Sequence, residues 1–259
     1  MNSIKKMMLS GALGCLISGM AYADGSSPQP VKPYWQDIQV VAVNKEKPRS
    51  SFMSYADRET ALTSRFEKSP YYSLLNGTWK FFFVDSYKDL PQNITDPSVN
   101  TSSWDDITVP GNWEVQGHGV AIYTNHGYEF KPKNPQPPLL PEANPVGVYR
   151  RDIEIPANWD NRDIYLHIGG AKSGLYVYLN GKEVGYSEDS KNPAEFLINK
   201  YLQPGKNVLT LKIFRWSTGS YLECQDFWRM SGIERDVFLW SQPKASIQDF
   251  RVVSTLDDT

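Results

Sequence analysis

The sequence predicts an all-β chain, two antiparallel sheets stacked as a jelly-roll sandwich with a long, Pro-rich lead-in and loops. Three observations carry this expectation. Short apolar runs repeat with period two. Turn formers punctuate them, with 18 Gly and 18 Pro in 259 residues. Aromatic residues, which favour pleated surfaces, are abundant at 8 Trp, 15 Tyr and 11 Phe.

The chain opens on an address. Lys5 and Lys6 form a basic start, Met7 to Ala23 carries no charge, and Ala21-Tyr22-Ala23 is an A-x-A exit. This pattern predicts a secretory signal peptide over 1–23, cleaved after Ala23, and a periplasmic or extracellular location. The apolar stretch is short for a bilayer span, and no other segment qualifies, so no membrane span is expected. Of the two cysteines, Cys15 falls in the leader and Cys224 remains, which leaves no internal disulfide. Cys224 then reads as a small buried filler. Residues 24–70 form an extended, polar lead-in with one expected helix over Tyr55 to Lys68, started by Asp57-Arg58-Glu59.

The sandwich is expected over 71–245. Trp79, Phe81 and Phe83 share one face. Ile164, Leu166 and Ile168 alternate with Tyr165 and His167, and Leu175, Val177 and Leu179 alternate with Tyr176 and Tyr178. Leu209, Leu211 and Ile213 repeat the pattern, and Val237 with Leu239 closes it. Asn180-Gly181 marks a hairpin because both residues tolerate positive φ, and Pro204-Gly205 marks another turn. Lys131 to Pro145 holds six prolines, whose missing N–H groups suit a long ordered surface loop. Ser246 to Val253 reads as a further strand, so 246–259 is expected to open a second, truncated domain.

Lys and Arg total 27 against 29 Asp and Glu, a net charge of −2. This balance lacks the basic face that nucleic acid demands. His118, His126 and His167 have no helical-spacing partner and no C-x-x-C occurs, which argues against a His/Cys metal centre. Phosphate loops, dinucleotide fingerprints and the G-x-S-x-G elbow are also missing from the sequence. The N-x-S/T triplets at Asn76, Asn93 and Asn100 read as turn residues.

Two polar clusters remain. One is Val109-Pro-Gly-Asn-Trp113, followed by Ala121-Ile-Tyr-Thr-Asn125. The other is Gly185-Tyr-Ser-Glu-Asp-Ser190, with Pro193 and Glu195-Phe196 after it. Amides and carboxylates beside aromatic faces suit a polyhydroxylated ligand, yet Asn and Asp are also ordinary turn residues. A retaining glycosidase needs two carboxyl groups about 5–5.5 Å apart. Glu188, Asp189, Glu223, Asp226 and Glu234 are candidates, but their spacing identifies no acid and nucleophile, and no catalytic residue is assigned to this chain. Glu234-Arg-Asp236 reads as a solvated strand end or an ion pair.

The run Arg215-Trp-Ser-Thr-Gly-Ser-Tyr-Leu-Glu-Cys-Gln-Asp-Phe-Trp-Arg-Met-Ser-Gly-Ile-Glu-Arg-Asp-Val237 resembles the amino-terminal domain of the large bacterial β-galactosidases of glycoside hydrolase family 2. Leu75-Asn-Gly-Thr-Trp79, Val109-Pro-Gly-Asn-Trp113, Ile122-Tyr-Thr-Asn125, Asn144-Pro-Val-Gly-Val-Tyr149 and Leu179-Asn-Gly-Lys-Glu-Val-Gly-Tyr-Ser-Glu-Asp-Ser190 match in the same order, over roughly residues 34 to 255. The resemblance implies a galactose-binding-like jelly roll that precedes an immunoglobulin-like domain, a catalytic barrel with both glutamates and further β domains. It puts Asn112 and Asp189 at the sugar. Asp189 would also ligate a sodium ion shared with the barrel, and magnesium would belong to the barrel. The implied partners are a β-galactoside and the remaining domains, with homo-oligomers expected for the full-length enzyme. Cys224 departs from the family, which often carries an acidic residue there. Two other readings stand beside this one: a free-standing carbohydrate-binding module, and a sister β-glucuronidase or β-mannosidase. The Tyr221-Leu-Glu-Cys-Gln-Asp-Phe-Trp-Arg-Met run favours the galactosidase branch.

Overall fold

The computed structural model describes residues 32–131 and 133–256. The expected leader with its cleavage point, and Pro132, lie outside the described residues. In chain order, β1 (Ala42–Val43), β2 (Tyr72–Leu74), β3 (Gly77–Val84), β4 (Asp105–Val109), β5 (Gly111–Asn112) and β6 (Ile122–Thr124) precede the proline-rich loop. After it come β7 (Val146–Glu154), β8 (Arg162–Ile168), β9 (Ala171–Lys172), β10 (Gly174–Leu179) and β11 (Lys182–Ser187). β12 (Ala194–Leu197), β13 (Lys206–Phe214), β14 (Phe227–Arg229), β15 (Gly232–Ile233) and β16 (Val237–Pro243) complete the set.

Two antiparallel sheets form the sandwich, a seven-stranded one ordered β1-β11-β10-β13-β7-β3-β4 and a four-stranded one ordered β12-β8-β16-β2. The period-two residues settle the register. Leu175, Val177 and Leu179 oppose Ile213, Leu211 and Leu209. Ile168 and Leu166 oppose Val237 and Leu239. These side chains, with Trp79, Phe81, Tyr149 and Phe196, fill the core between the sheets. Each fully buried aliphatic or Phe side chain there stabilises the fold by about 1.5–3 kcal/mol. The β10–β11 hairpin turns through Asn180 at φ 53° and Gly181 at φ 77°, the left-handed pair the sequence predicts. Gly205 turns at φ 76°.

The opposite face of the seven-stranded sheet is also apolar. Phe82, Val146, Val148, Tyr176, Tyr186 and Phe214 alternate with the core residues and are covered by Trp35, Ile94 and Trp104. Trp35 stacks on Phe214 at 4.9 Å between ring centres and meets Tyr87 edge-on at 5.1 Å. On the outer face of the four-stranded sheet, Met53, Tyr55 and Phe66 cover Tyr165 and Trp240. The lead-in therefore wraps both outer faces, and from Lys32 it belongs to the same compact unit as the sandwich.

Two expectations are corrected. The helix over Tyr55 to Lys68 shortens to α1 (Arg58–Leu62) and a 3-10 turn at Phe66–Lys68. Asp57 caps α1, accepting from Thr60 N at 2.7 Å, but Ser64 at φ 54° breaks the pattern. Tyr55 and Phe66 pack onto the sheet instead. Ser246 to Val253 forms no ladder among the described residues. With no strand alongside, it is held by side-chain contacts: Ser50 N donates to Asp249 Oδ1 at 2.8 Å, Ser50 Oγ donates to the Phe250 carbonyl at 2.7 Å, and Phe52 meets Phe250. The proline-rich loop carries no strand among its described residues, and Asn144 staples its end to Trp216 by reciprocal bonds of 2.8 and 3.0 Å. Asn76 spends its amide inside the fold, on Asp236 and the Val237 N–H. No helix among the described residues is long and apolar enough to cross a membrane.

Trp35→Ala is expected to destabilise the chain by about 3–5 kcal/mol in urea unfolding, because it opens a cavity on the outer sheet face. A loss under about 1 kcal/mol would mean the lead-in is a detachable tail.

Candidate functional site

At one end of the sandwich a small three-stranded sheet, ordered β5-β15-β9, stitches distant segments together. Gly232 of β15 pairs with Asn112 on one side and Lys172 on the other. It needs to be glycine: φ is +118°, and a Cβ would stand 2.8 Å from the Gly111 carbonyl oxygen. This pairing brings Asn112 beside the Ser231–Glu234 segment. Asn112 Nδ2 donates to the Ser231 carbonyl at 3.2 Å and to Glu234 Oε1 at 3.3 Å. Glu234 also takes Lys191 Nζ on both oxygens at 2.7 Å. Lys191 belongs to the turn that carries Asp189, so one ion pair joins the two sequence-predicted positions.

Asp189 is 55% exposed. Its Oδ1 accepts from Asn192 Nδ2 at 2.8 Å, and its Oδ2 faces Lys45 Nζ at 3.5 Å. It borders a cleft of about 350 Å³ lined also by Arg49, Phe52, His167, Asn192 and Glu195. His167 and Pro193 are shared with an open groove of about 790 Å³ that reaches Pro110, Glu234 and Arg235. In the cleft wall, Glu195 accepts from Arg49 Nε and Nη2 at 3.1 Å each, from Trp240 Nε1 at 3.1 Å and contacts His167 Nδ1 at 2.8 Å. Burial alone would raise this carboxyl, but the His167 hydrogen bond and the Arg49 charge outweigh it and hold it below its ordinary value.

The remaining carboxylates have other partners. Glu188 is buried and takes Thr218 Oγ1 and the Gly219 N–H, although burial still pushes its carboxyl up. Glu223 takes Ser190 N at 3.1 Å and is likewise raised by burial. Asp226 accepts from Tyr123 OH at 2.8 Å, on the β6–β14 arm where Tyr123 and Trp228 are each 54% exposed. The 121–125 segment thus lies on an arm of its own, while Asn112 bonds Glu234, which lines the groove.

A buried charge cluster that the sequence did not disclose supports this end. Lys172, 1% exposed, donates to Glu129 Oε1 at 2.9 Å. Arg215 reaches Glu129 Oε2 and Glu114 Oε1 at 3.6 Å each. Glu114 accepts from Ser231 N at 3.0 and 2.9 Å, and burial pushes its carboxyl up. These partners lie 43 to 117 residues apart, beyond any local spacing signal. Among the described residues, no group of three or more His, Cys, Asp or Glu side chains is placed to hold a metal ion. Asp189 offers one carboxylate with the Lys45 ammonium beside it.

Fold and site together define a jelly-roll β-sandwich with an open groove that carries Glu234 and Arg235. Residues 72–243 match the family described as "Glycosyl hydrolases family 2, sugar binding domain". The chain belongs to this family. It is 41% identical over 229 residues to a β-galactosidase of Priestia megaterium, covering 87% of this chain and 22% of that protein. It is 40% identical over 225 residues to a β-galactosidase of Actinobacillus pleuropneumoniae, again covering 87% of this chain and 22% of the relative. The chain therefore spans about a fifth of the length of these relatives. An uncultured Clostridium sp. β-glucuronidase shares the fold at TM-score 0.53 and 24% identity, over 72% of this chain and 31% of that one.

Glu195→Gln is expected to cost about 1–3 kcal/mol near neutral pH by unpairing buried Arg49. The folded carboxyl sits below its ordinary value of 4.5, so its contribution is present above that pH and is lost as pH falls through the folded value. Stability curves of the two proteins should converge on acidification below pH 4.5; parallel curves would contradict the assignment.

Proposed function

We propose that this chain is the sugar-binding part of an exported β-galactosidase and that it supplies Asn112 and Asp189 to a galactose site completed by a part of the enzyme outside it. The observation that carries this reading is the roughly 40% identity to β-galactosidases over 86–87% of the chain. The geometry supports it, since Glu234 accepts both from Asn112 Nδ2 and from Lys191 of the Asp189 turn. Both groups accept hydrogen bonds from hydroxyls, as a neutral sugar requires. Hydrolysis itself needs a carboxyl pair that we assign to the rest of the enzyme, as we do any magnesium; a sodium ion at Asp189 would draw its other ligands from there too.

The 259-residue chain alone is expected to leave a chromogenic β-galactoside unhydrolysed. In a full-length enzyme carrying this domain, Asp189→Asn should lower kcat/KM by roughly tenfold to a few hundredfold, the cost of a lost charged hydrogen-bond partner. The same substitution should change the unfolding free energy of the isolated chain by no more than about 0.5 kcal/mol, because the side chain is mostly solvated. Unchanged kinetics with a large stability loss would make Asp189 a structural turn residue.

A further inference from the structure

We propose that Glu188 and Glu223 are positioning residues for Asp189: they clamp the chain on either side of it to the 217–223 segment and so fix where its carboxylate stands at the cleft. The proposal rests on the reading that Asp189 meets the sugar. Glu188 turns inward and is 3% exposed, while the side chain of Asp189 turns outward and is 55% exposed. Glu188 Oε2 accepts from the Gly219 N–H at 2.8 Å, and its two oxygens face Thr218 Oγ1 at 3.0 and 2.9 Å. Glu223 reaches back from the far end of the same segment, and its Oε1 accepts from the Ser190 N–H at 3.1 Å. One clamp runs from the turn into the segment and the other from the segment into the turn, with Asp189 between their anchor points. No ladder spans this stretch, because β11 ends at Ser187 and β12 begins at Ala194.

The segment is itself held, so the clamps tie the turn to a fixed base. Ser217 and Ser220 form a capping box, and Ser173 Oγ donates to Ser217 Oγ at 2.6 Å. Arg229 Nη1 donates to the Glu223 carbonyl at 2.6 Å. The Tyr221 ring meets Tyr128 and Phe130 edge-on at 4.9 and 5.3 Å.

What the clamps supply is an acceptor oxygen, not a charge. Burial raises both carboxyls, and among the described residues neither forms an ion pair. Their donors are N–H and O–H groups, which a neutral amide oxygen would satisfy equally. An acid, a base or a nucleophile needs its ionisable group, so replacement by glutamine separates positioning from chemistry. The positioning acts at a distance from any ligand: a misplacement of about 1 Å at a reacting site can cost on the order of a hundredfold in rate.

Two measurements test the proposal. The first is backbone amide exchange on the 259-residue chain, where the Ser190 and Gly219 amides should be protected. Glu223→Ala should speed exchange at Ser190 roughly tenfold, and Glu188→Ala should do the same at Gly219. Glu223→Gln, which keeps an acceptor oxygen, should change Ser190 by less than about threefold. Amides of β7 and β13 should be unmoved throughout, which reports an intact fold. The second measurement is kcat/KM for a chromogenic β-galactoside in a full-length enzyme carrying this domain. Glu223→Ala should lower it roughly tenfold or more, and Glu223→Gln should stay within about threefold of the unsubstituted enzyme. A loss in Glu223→Gln equal to that in Glu223→Ala would make the charge essential and overturn positioning. A Ser190 amide that exchanges freely in the unsubstituted chain overturns it too, as does unchanged turnover in Glu223→Ala where Asp189→Asn is impaired. If Asp189→Asn and Glu223→Ala both leave turnover unchanged while the Ser190 amide still responds, Asp189 is no sugar contact; the positioning role falls with that reading and the hydrogen bond alone survives.

Discussion

The Lys172–Glu129–Arg215–Glu114 cluster is the constraint on which the functional end of the molecule depends. Taking such charges out of water costs several kcal/mol per ion, and pairing offsets this only when the geometry is held. Here the holding is mutual. Lys172 sits on β9, Glu129 precedes the proline-rich loop and Glu114 follows β5. Arg215 follows β13 and also donates to the Val120 and Arg229 carbonyls at 2.9 and 3.1 Å. A single buried network thus fastens loops that would otherwise lie independently over the sandwich end.

What the cluster fastens is the platform for the groove. Glu114 takes the Ser231 N–H, and Ser231 in turn receives Asn112 Nδ2 on its carbonyl. The β5-β15-β9 sheet carries Asn112 on one outer strand and Lys172, a member of the buried cluster, on the other. The rim then uses charge of its own, the Lys191–Glu234 pair, at a half-buried position where an ion pair can orient a neighbour at low desolvation cost. The lead-in supports the same end from outside, through Arg49 on Glu195 and Lys45 beside Asp189.

The fold was legible in the sequence wherever one face of a strand met the core. Leu175, Val177 and Leu179, or Leu209, Leu211 and Ile213, announce their strands because period two is set by the pleat itself. Asn180-Gly181 announced its turn because few other residues reach positive φ. The helix over Tyr55 to Lys68 misled because its aromatics serve the outer face of a sheet, a tertiary demand that overrides local propensity. Ser246 to Val253 misled because a strand pattern needs a neighbour to become a ladder. At the site, Asn112 and Asp189 were named through a resemblance, and Glu234-Arg-Asp236, read as a solvated strand end or an ion pair, contributes Glu234 to a pair with Lys191 that the reading did not name. Their joining through Lys191, and the buried cluster beneath, were illegible because the partners are far apart in sequence.

The central claim is that this buried cluster makes the loops at the sandwich end one cooperative unit. Amide hydrogen exchange in Lys172→Met tests it most directly. The substitution leaves Glu129 without its short partner and is expected to cost about 3–5 kcal/mol locally. Protection should then fall together in 113–120, 171–173, 188–192 and 215–236, while the central strands β7 and β13 keep theirs. Loss confined to 171–173, or spread evenly through β7 and β13, would contradict the account.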